Sequence, residues 1–431
     1  MKETIIHKVK IKLYYFYYRF RILILEPMRN WLHVIKIRFQ SRPVNVAFFA
    51  MSLSLWRYQR VFEIMQKNPG FNPFIVLTPC ARFSPEQQKQ ELSQLQKYFK
   101  SRDIPYINWD FTKEAPSMPL NGKLKPGIIF YAQPYYDSLP DSVCFDNLRQ
   151  SLFCYCQYGM GPYDEPWAYN QTFYNIAWRL FYARQRDLEA ARRFALNRGR
   201  NVIVSGYTNV DFYLDPEKPT NVWKQGNDGK KRLIWAPHFT VNDRNNKGLY
   251  KHSNFLWMAP IMINLAQQYA ENLQIAFKPH PFLLKELYKH PAWGKEKADA
   301  YYQQWATMNN TQLETGDYLD LFRSSDAMIH DCSSFLVEYL YLNKPVMFVA
   351  PNIDEVRKSF APFGRNSLAQ HYVALSADDI MDFISSVVIG GNDTLRESRV
   401  EFFRKELQPA VQSTSVAQVI VDEIASSLHL P

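Results

Sequence analysis

Between Val44 and Ala50 the sequence VNVAFFA carries a single polar side chain. A run of this kind, bounded by polar stretches, predicts a strand of a parallel sheet, because a strand covered on both faces has no solvent side to alternate toward. The pattern recurs at Phe74–Thr78 (FIVLT), Gly127–Ala132 (GIIFYA), Leu152–Gln157 (LFCYCQ) and Asn201–Ser205 (NVIVS). Helix-length polar segments separate these runs, the first opening near Trp56. Leu214–Lys231 is rich in Pro, Gly, Asn and Lys and predicts a linker. The alternation then restarts with RLIWAP (Arg232–Pro237), LQIAFKP (Leu273–Pro279), AMIHD (Ala327–Asp331) and KPVMFVA (Lys344–Ala350). Two successive strand–helix units predict an α/β protein of two facing Rossmann-like lobes with parallel sheets, and ligands in such sheets bind beyond the carboxyl ends of the strands.

The expected organisation is a leader over 1–42, a first lobe over 43–220, a second over 221–392 and C-terminal helices over 393–431 packing back across the lobes. The leader reads KVKIKLYYFYYRFRILILEPMRNWLHVIKIRF, with basic residues interleaved among aromatic and aliphatic ones. It holds ten Lys or Arg against Glu3 and Glu26, so most of the chain's formal net charge of +10 sits there. That placement argues against a nucleic-acid enzyme, whose positive field covers the body of the fold. It predicts a basic amphipathic segment lying on an anionic membrane surface, with Tyr14, Tyr15, Tyr17, Tyr18 and Trp31 in the headgroup layer. The alternative is a helix packed on the protein itself or on a partner. No apolar run reaches the roughly 18 residues of a spanning helix and no cleavable signal is visible, so the expected location is cytoplasmic, peripheral on the inner face of the membrane. The five cysteines lack CxxC spacing and read as reduced core thiols, with neither a metal site nor a cofactor expected.

Three strand ends in the second lobe carry candidate chemistry. Asp331-Cys332-Ser333-Ser334 follows AMIH and turns into a helix, where main-chain N–H groups and two hydroxyls can hold a pyrophosphate. Glu338 lies one turn on, over Ser334, placed to accept from donor hydroxyls. The competing reading is that Asp331 and the serines only cap the helix. Lys278 and His280 follow LQIAF and can neutralise charge developing on a leaving phosphate, and His238 follows LIWAP. Arg323 and Lys344 are candidates to flank the donor, and the aromatic stretches Tyr131–Asp137 and Asp299–Trp305 read chiefly as core.

These segments together resemble the CDP-glycerol glycerophosphotransferase family, which includes teichoic-acid primases and polymerases. Ala236-Pro237, Lys278 to Pro281 and the block Asp326 to Pro345 match its second-lobe motifs. Gln157–Pro162 (QYGMGP) and Ser205–Tyr213 (SGYTNVDFY) match two first-lobe segments. The resemblance implies a GT-B fold and transfer of an alditol phosphate from a CDP-linked donor to a hydroxyl of a membrane-bound glycan or polymer, with release of CMP. It places Ser333, Ser334, His280, Lys278, Asp331 and Glu338 on the donor. Two positions depart: the family's acid after the serines is Asp where this chain has Glu338, and its first-lobe histidine is replaced by Tyr158. Tyrosine, with a residue-type pKa near about 10, is a poor base at neutral pH. His238 is therefore weighed as the base beside Tyr158, in a capsule or surface-polysaccharide branch of the family. The alternatives are a GT-B glycosyltransferase acting at a sugar carbon and a non-catalytic envelope-assembly protein that retains the fold.

Overall fold

The computed structural model describes residues 2–108, 125–163, 165–241, 253–408 and 414–431. It divides into two compact units, one formed by Met1–Tyr158, Glu165–Asp211 and Pro409–Pro431, the other by Gly159–Asp164 and Phe212–Gln408.

In the first unit the strands are β1 (Val44–Ala50), β2 (Phe71–Leu77), β3 (Tyr106–Asn108), β4 (Ile128–Tyr131), β5 (Leu152–Cys156), β6 (Arg179–Tyr182) and β7 (Val202–Val204). They form one parallel sheet in the order β3-β2-β1-β4-β5-β6-β7. Phe48 of β1 is in register with Phe130 of β4, and their rings stack at 4.7 Å. The second unit holds β8 (Lys231–Ala236), β9 (Leu273–Phe277), β10 (Thr311–Leu313), β11 (Ala327–His330), β12 (Val346–Val349) and β13 (Tyr372–Ala374). Their order is β10-β9-β8-β11-β12-β13, again all parallel. This is the α/β architecture of GT-B type, with Rossmann-like sheets, that the sequence predicts.

Four strands escape the sequence reading. β3, β10 and β13 are three-residue edge strands, too short to register as apolar runs. β6 opens on Arg179, whose guanidinium pairs with Glu423 and breaks the pattern. The expected linker also differs. Trp223 is buried and donates to Ser324 Oγ (2.9 Å), while Lys224 N donates to Gln312 Oε1 (2.7 Å), so this segment is packed into the second unit. All five cysteines are buried free thiols.

In the second unit Trp235 anchors β8, with ring centroids 4.9 Å from Phe277, 5.5 Å from Trp305 and 5.8 Å from Phe255. Truncating such a side chain to Ala costs about 3–5 kcal/mol. It would also loosen the strand end that carries His238. Tyr302 and Trp305 of the Asp299–Trp305 stretch are buried in this core, and Tyr131 is buried in the first unit.

The leader is helical from Lys2 to Arg38, interrupted by a π-helical turn at Arg21–Leu25. Pro27 lies two residues beyond; lacking an N–H, it cannot donate to the carbonyl four residues back, and the wider turn accommodates the gap. Tyr14 to Tyr17 are consecutive exposed rings, so at about 100° per residue they point to all sides rather than to one face. The second half is sided. Ile22 and Ile37 are buried, whereas Leu13, Tyr17, Phe20, Ile24, Met28 and Trp31 form an exposed stripe at helical spacing. Buried Glu26 holds the helix in place, accepting from Arg21 Nε (2.9 Å) and Arg149 Nη2 (2.7 Å). No described helix is long and apolar enough to cross a membrane.

The C-terminal helical stretch splits. Arg396–Phe402 and the π-helical turn Phe403–Leu407 belong to the second unit, Val416–Leu428 to the first, and 409–413 lie outside the described residues.

Candidate active site

In the second sheet the chain runs outward from β8 through β9 to β10, then returns to β11 on the other side of β8. Strand order reverses between β8 and β11, and their diverging carboxyl ends leave the crevice where doubly wound sheets bind ligands. Of the second-lobe residues singled out in the sequence, His238, Lys278, His280, Asp331, Ser333, Ser334 and Glu338 lie beyond the carboxyl ends of β8, β9 and β11, whereas Arg323 and Lys344 precede β11 and β12.

β11 delivers Asp331 into the interior, 1% exposed. Its Oδ1 accepts from His238 N at 2.6 Å, and Oδ2 from Asn254 N at 2.5 Å. Asn254 in turn donates from Nδ2 to Val349 O (2.9 Å) and begins the Phe255–Gln268 helix. One carboxylate therefore ties together the loop after β8, the start of the next helix and the turn after β11. Burial pushes the Asp331 carboxyl up to about 7, opposed by these N–H donors.

Ser333 is half-buried and Ser334 exposed. Ser334 holds the N-cap position of the Phe335–Glu338 helix without a side-chain capping bond. Among the described residues neither serine hydroxyl has a hydrogen-bond partner, so simple capping does not account for the pair. The helix continues as a 3-10 turn to Leu342 and stops at Asn343, whose φ of 51° is the left-handed conformation that ends helices before a Lys-Pro exit.

His238 and His280 lie side by side, their ring centroids 5.2 Å apart. His238 Nδ1 is 3.0 Å from Thr240 Oγ1, which also accepts from Ser253 N (3.2 Å); Ser253 Oγ donates to His238 O (2.7 Å). His280 N donates to Pro237 O (3.1 Å), and His280 Nδ1 accepts from Phe282 N (3.2 Å). An accepting Nδ1 assigns the proton of the neutral ring to Nε2.

Lys278 and Glu338 form a deeper layer. Lys278, 6% exposed, donates to Gly316 O (2.9 Å) and lies 5.5 Å from the centre of the Tyr318 ring. Glu338, 2% exposed, accepts from Tyr213 OH (2.7 Å) and Tyr318 OH (3.0 Å). The structure thus sorts the sequence-derived set into accessible Ser333, Ser334, His238 and His280, and buried Asp331, Lys278 and Glu338. Arg323 and Lys344 serve the scaffold. Arg323 donates to the carbonyls of Asp215 and Glu217. Lys344 donates to the carbonyls of Phe322, Arg323 and Ser325, closing the end of the Leu319–Ser324 helix.

Tyr158 belongs to the first unit, just past β5; its carbonyl accepts from Tyr207 OH (3.2 Å) and its phenol pairs with that of Tyr135. Asp211 of the SGYTNVDFY segment accepts from Val416 N and Ala417 N, both at 2.8 Å, and so caps the last helix. In the second unit, Pro162 of QYGMGP takes Ala361 N (2.8 Å) on its carbonyl. A Cβ at Gly364 would fall 2.5 Å from Pro162 Cβ, so this close approach requires glycine.

Thr240, Ser253, Asn254, Tyr213 and Tyr318 are site-shaping residues that sequence reasoning missed. Thr240, two residues after His238, was within reach of a local reading. The Tyr213–Glu338–Tyr318 set is assembled from distant segments and has no local signal.

Residues 178–412 match the family described as CDP-Glycerol:Poly(glycerophosphate) glycerophosphotransferase. The chain is 25% identical over 200 residues to the teichoic acid ribitol-phosphate polymerase TarK of Staphylococcus aureus (strain NCTC 8325 / PS 47), covering 44% of this chain and 35% of that protein. It therefore spans about a third of the length of the curated relatives it matches. Among solved structures, the wall teichoic acid polymerase TagF superposes with a TM-score of 0.56 at 13% identity, over 95% of this chain and 98% of that one. The S. aureus MnaA–UDP complex gives a TM-score of 0.54 at 14% identity, over 90% and 97%. These two likenesses establish the fold.

Proposed function

Because the chain belongs to the CDP-glycerol:poly(glycerophosphate) glycerophosphotransferase family, we propose that it moves glycerol phosphate, or a related alditol phosphate, from a CDP-linked donor to a hydroxyl of a cell-envelope glycan or polymer. The observation that carries the reading is the pair of serine hydroxyls beyond β11, without a hydrogen-bond partner among the described residues, in the neighbourhood of two adjacent histidines at the ends of β8 and β9. Ser333 and Ser334 hold the donor diphosphate with their hydroxyls and main-chain N–H groups. The acceptor oxygen attacks the phosphorus that bears the alditol, the bond from that phosphorus to the bridging oxygen breaks, and CMP leaves with the electron pair. His280 donates from Nε2–H to the phosphate as charge builds on it.

His238 takes the acceptor proton. With Nδ1–H given to Thr240 Oγ1, the neutral ring carries no proton on Nε2, the tautomer a general base needs. Asp331 acts through His238 by holding its main chain, while Lys278 and Glu338 set the floor of the site. The assay is the nucleotide released from CDP-glycerol in the presence of a hydroxyl acceptor. CMP is expected; release of CDP or UDP from a nucleotide sugar would replace this reading with sugar transfer, and no turnover with any donor would leave a non-catalytic role.

The leader is proposed to rest on an anionic membrane at the inner face, where the acceptor is anchored. Its support is the exposed stripe from Leu13 to Trp31 beside the chain's concentrated positive charge. Deleting residues 1–42 is expected to abolish sedimentation with phosphatidylglycerol vesicles, and unchanged sedimentation would defeat the proposal.

A further inference from the structure

A cavity of about 300 Å³ lies within the first unit between the leader helix and the amino-terminal ends of β6 and β7. It is therefore at the opposite end of the sheet from the edge where such folds bind nucleotides. Ile22, Leu23, Pro27 and Val34 wall it from the leader, Ala177 and Trp178 from the body.

The polar groups that border it are already committed. Asn197 Nδ2 donates to Asn201 Oδ1 (2.8 Å), and Asn201 Nδ2 donates to the carbonyls of Tyr174 (2.9 Å) and Ala177 (2.8 Å). Asn30 Nδ2 donates to Ile176 O (3.2 Å), Glu26 Oε1 accepts from Arg21 and Arg149, and Glu26 Oε2 is ion-paired with Arg29 Nε at 3.0 Å. The interior thus offers hydrocarbon contact rather than hydrogen bonds, and its size is at the small end of ligand pockets, about 300–1,000 Å³. Its rim differs. Trp31, 60% exposed, is both part of the wall and the last ring of the exposed stripe. Arg200 is exposed, and its guanidinium has no partner among the described residues. An apolar interior, a cation at the mouth without a partner among the described residues and continuity with the exposed apolar stripe together specify an anionic amphiphile.

We infer that this cavity takes one acyl chain of an anionic membrane phospholipid, with Arg200 meeting the headgroup phosphate. The inference rests on the leader's proposed membrane contact and adds a saturable site to a diffuse one. A lipid chain inserted between leader and body fixes the leader against the sheet, beyond what surface charge alone does.

The test uses the full chain and lyso-phosphatidylglycerol below its critical micelle concentration, followed by calorimetry and native mass spectrometry. One equivalent is expected to bind, with lyso-phosphatidylcholine of the same chain length about fivefold weaker for want of net headgroup charge. Val34→Trp fills the cavity and is expected to weaken binding by at least about tenfold while sedimentation with phosphatidylglycerol vesicles persists. Arg200→Glu, at an exposed position, should erase the preference for the anionic lipid and decides the matter if Val34→Trp lowers the melting temperature. Absence of a saturable equivalent, or full-strength binding by Val34→Trp, overturns the inference. Wild-type protein that sediments with vesicles yet binds no lysolipid removes the pocket and leaves the membrane reading intact. Protein that binds lysolipid but not vesicles does the reverse.

Discussion

At the carboxyl end of β5 the first unit gathers phenols, whereas at the carboxyl ends of β8, β9 and β11 the second gathers imidazoles and hydroxyls. Tyr158 pairs with Tyr135, and Tyr135 with Tyr174 at 3.2 Å. Burial drives the Tyr135, Tyr155 and Tyr174 hydroxyls well above their ordinary range, so these three neither gain nor lose protons near neutrality. In the second unit His238 and His280 remain partly exposed, with one nitrogen each fixed by a local partner. The two sheets share a winding and are each all parallel, yet among the described residues it is the strand ends of the second that carry the imidazoles and hydroxyls singled out above. A shared fold, in other words, says little about which strand ends carry chemistry.

The contrast can be broken by substitution. His238→Gln should lower kcat/KM for CMP release by about 10²–10⁴-fold, the usual contribution of a general base, with the fold retained. Tyr158→Phe, removing one hydrogen bond of about 1 kcal/mol, should lower it by no more than about fivefold. If the two losses exchanged places, the base would belong to the first unit.

A stability effect of intermediate size sharpens the picture of the buried layer. His371, packed 5.3 Å from His330, donates from Nδ1 to Ser367 O (2.9 Å), and burial pulls its pKa down to about 3. Its unfolded value is near about 6.5. Between these two values the unfolded chain binds a proton that the folded one refuses, so stability falls as pH is lowered through this window and is unaffected by this group above it. The slope is about 1.4 kcal/mol per pH unit for each such proton. His371→Gln should flatten the urea-unfolding free energy against pH by that amount, and an unchanged slope would assign the acid lability elsewhere. A further stability effect is expected for Tyr318→Phe. It removes one of two hydroxyls on Glu338 and should lower the unfolding free energy by about 1.5–3 kcal/mol, while leaving the serine turn in place.

Much of this was legible in the chain because the relevant signals are local. Apolar runs such as VNVAFFA and LQIAF mark central strands, and the residues that follow them are placed by sheet topology alone. The same signals therefore assign Ser333, Ser334, His238 and His280 to one sheet edge. Which way a side chain turns was not legible. Asp331, Lys278 and Glu338 sit at the expected positions, but main-chain amides, a carbonyl and two tyrosines distant in sequence draw them inward. The edge strands β3, β10 and β13 were also invisible, since edges pair on one side and need little apolar sequence, whereas β7, equally short, was marked by the apolar run NVIVS. The leader's charge was plain, whereas its attachment through Glu26 depends on Arg149, more than a hundred residues away.

The most direct test of the account is the affinity of the double variant Ser333→Ala, Ser334→Ala for CDP, measured by calorimetry beside the wild-type protein with matched melting temperatures. Loss of two hydrogen bonds to a charged diphosphate, each about 1.5–3 kcal/mol, predicts binding at least a hundredfold weaker. Equal affinity in the two proteins would contradict the site.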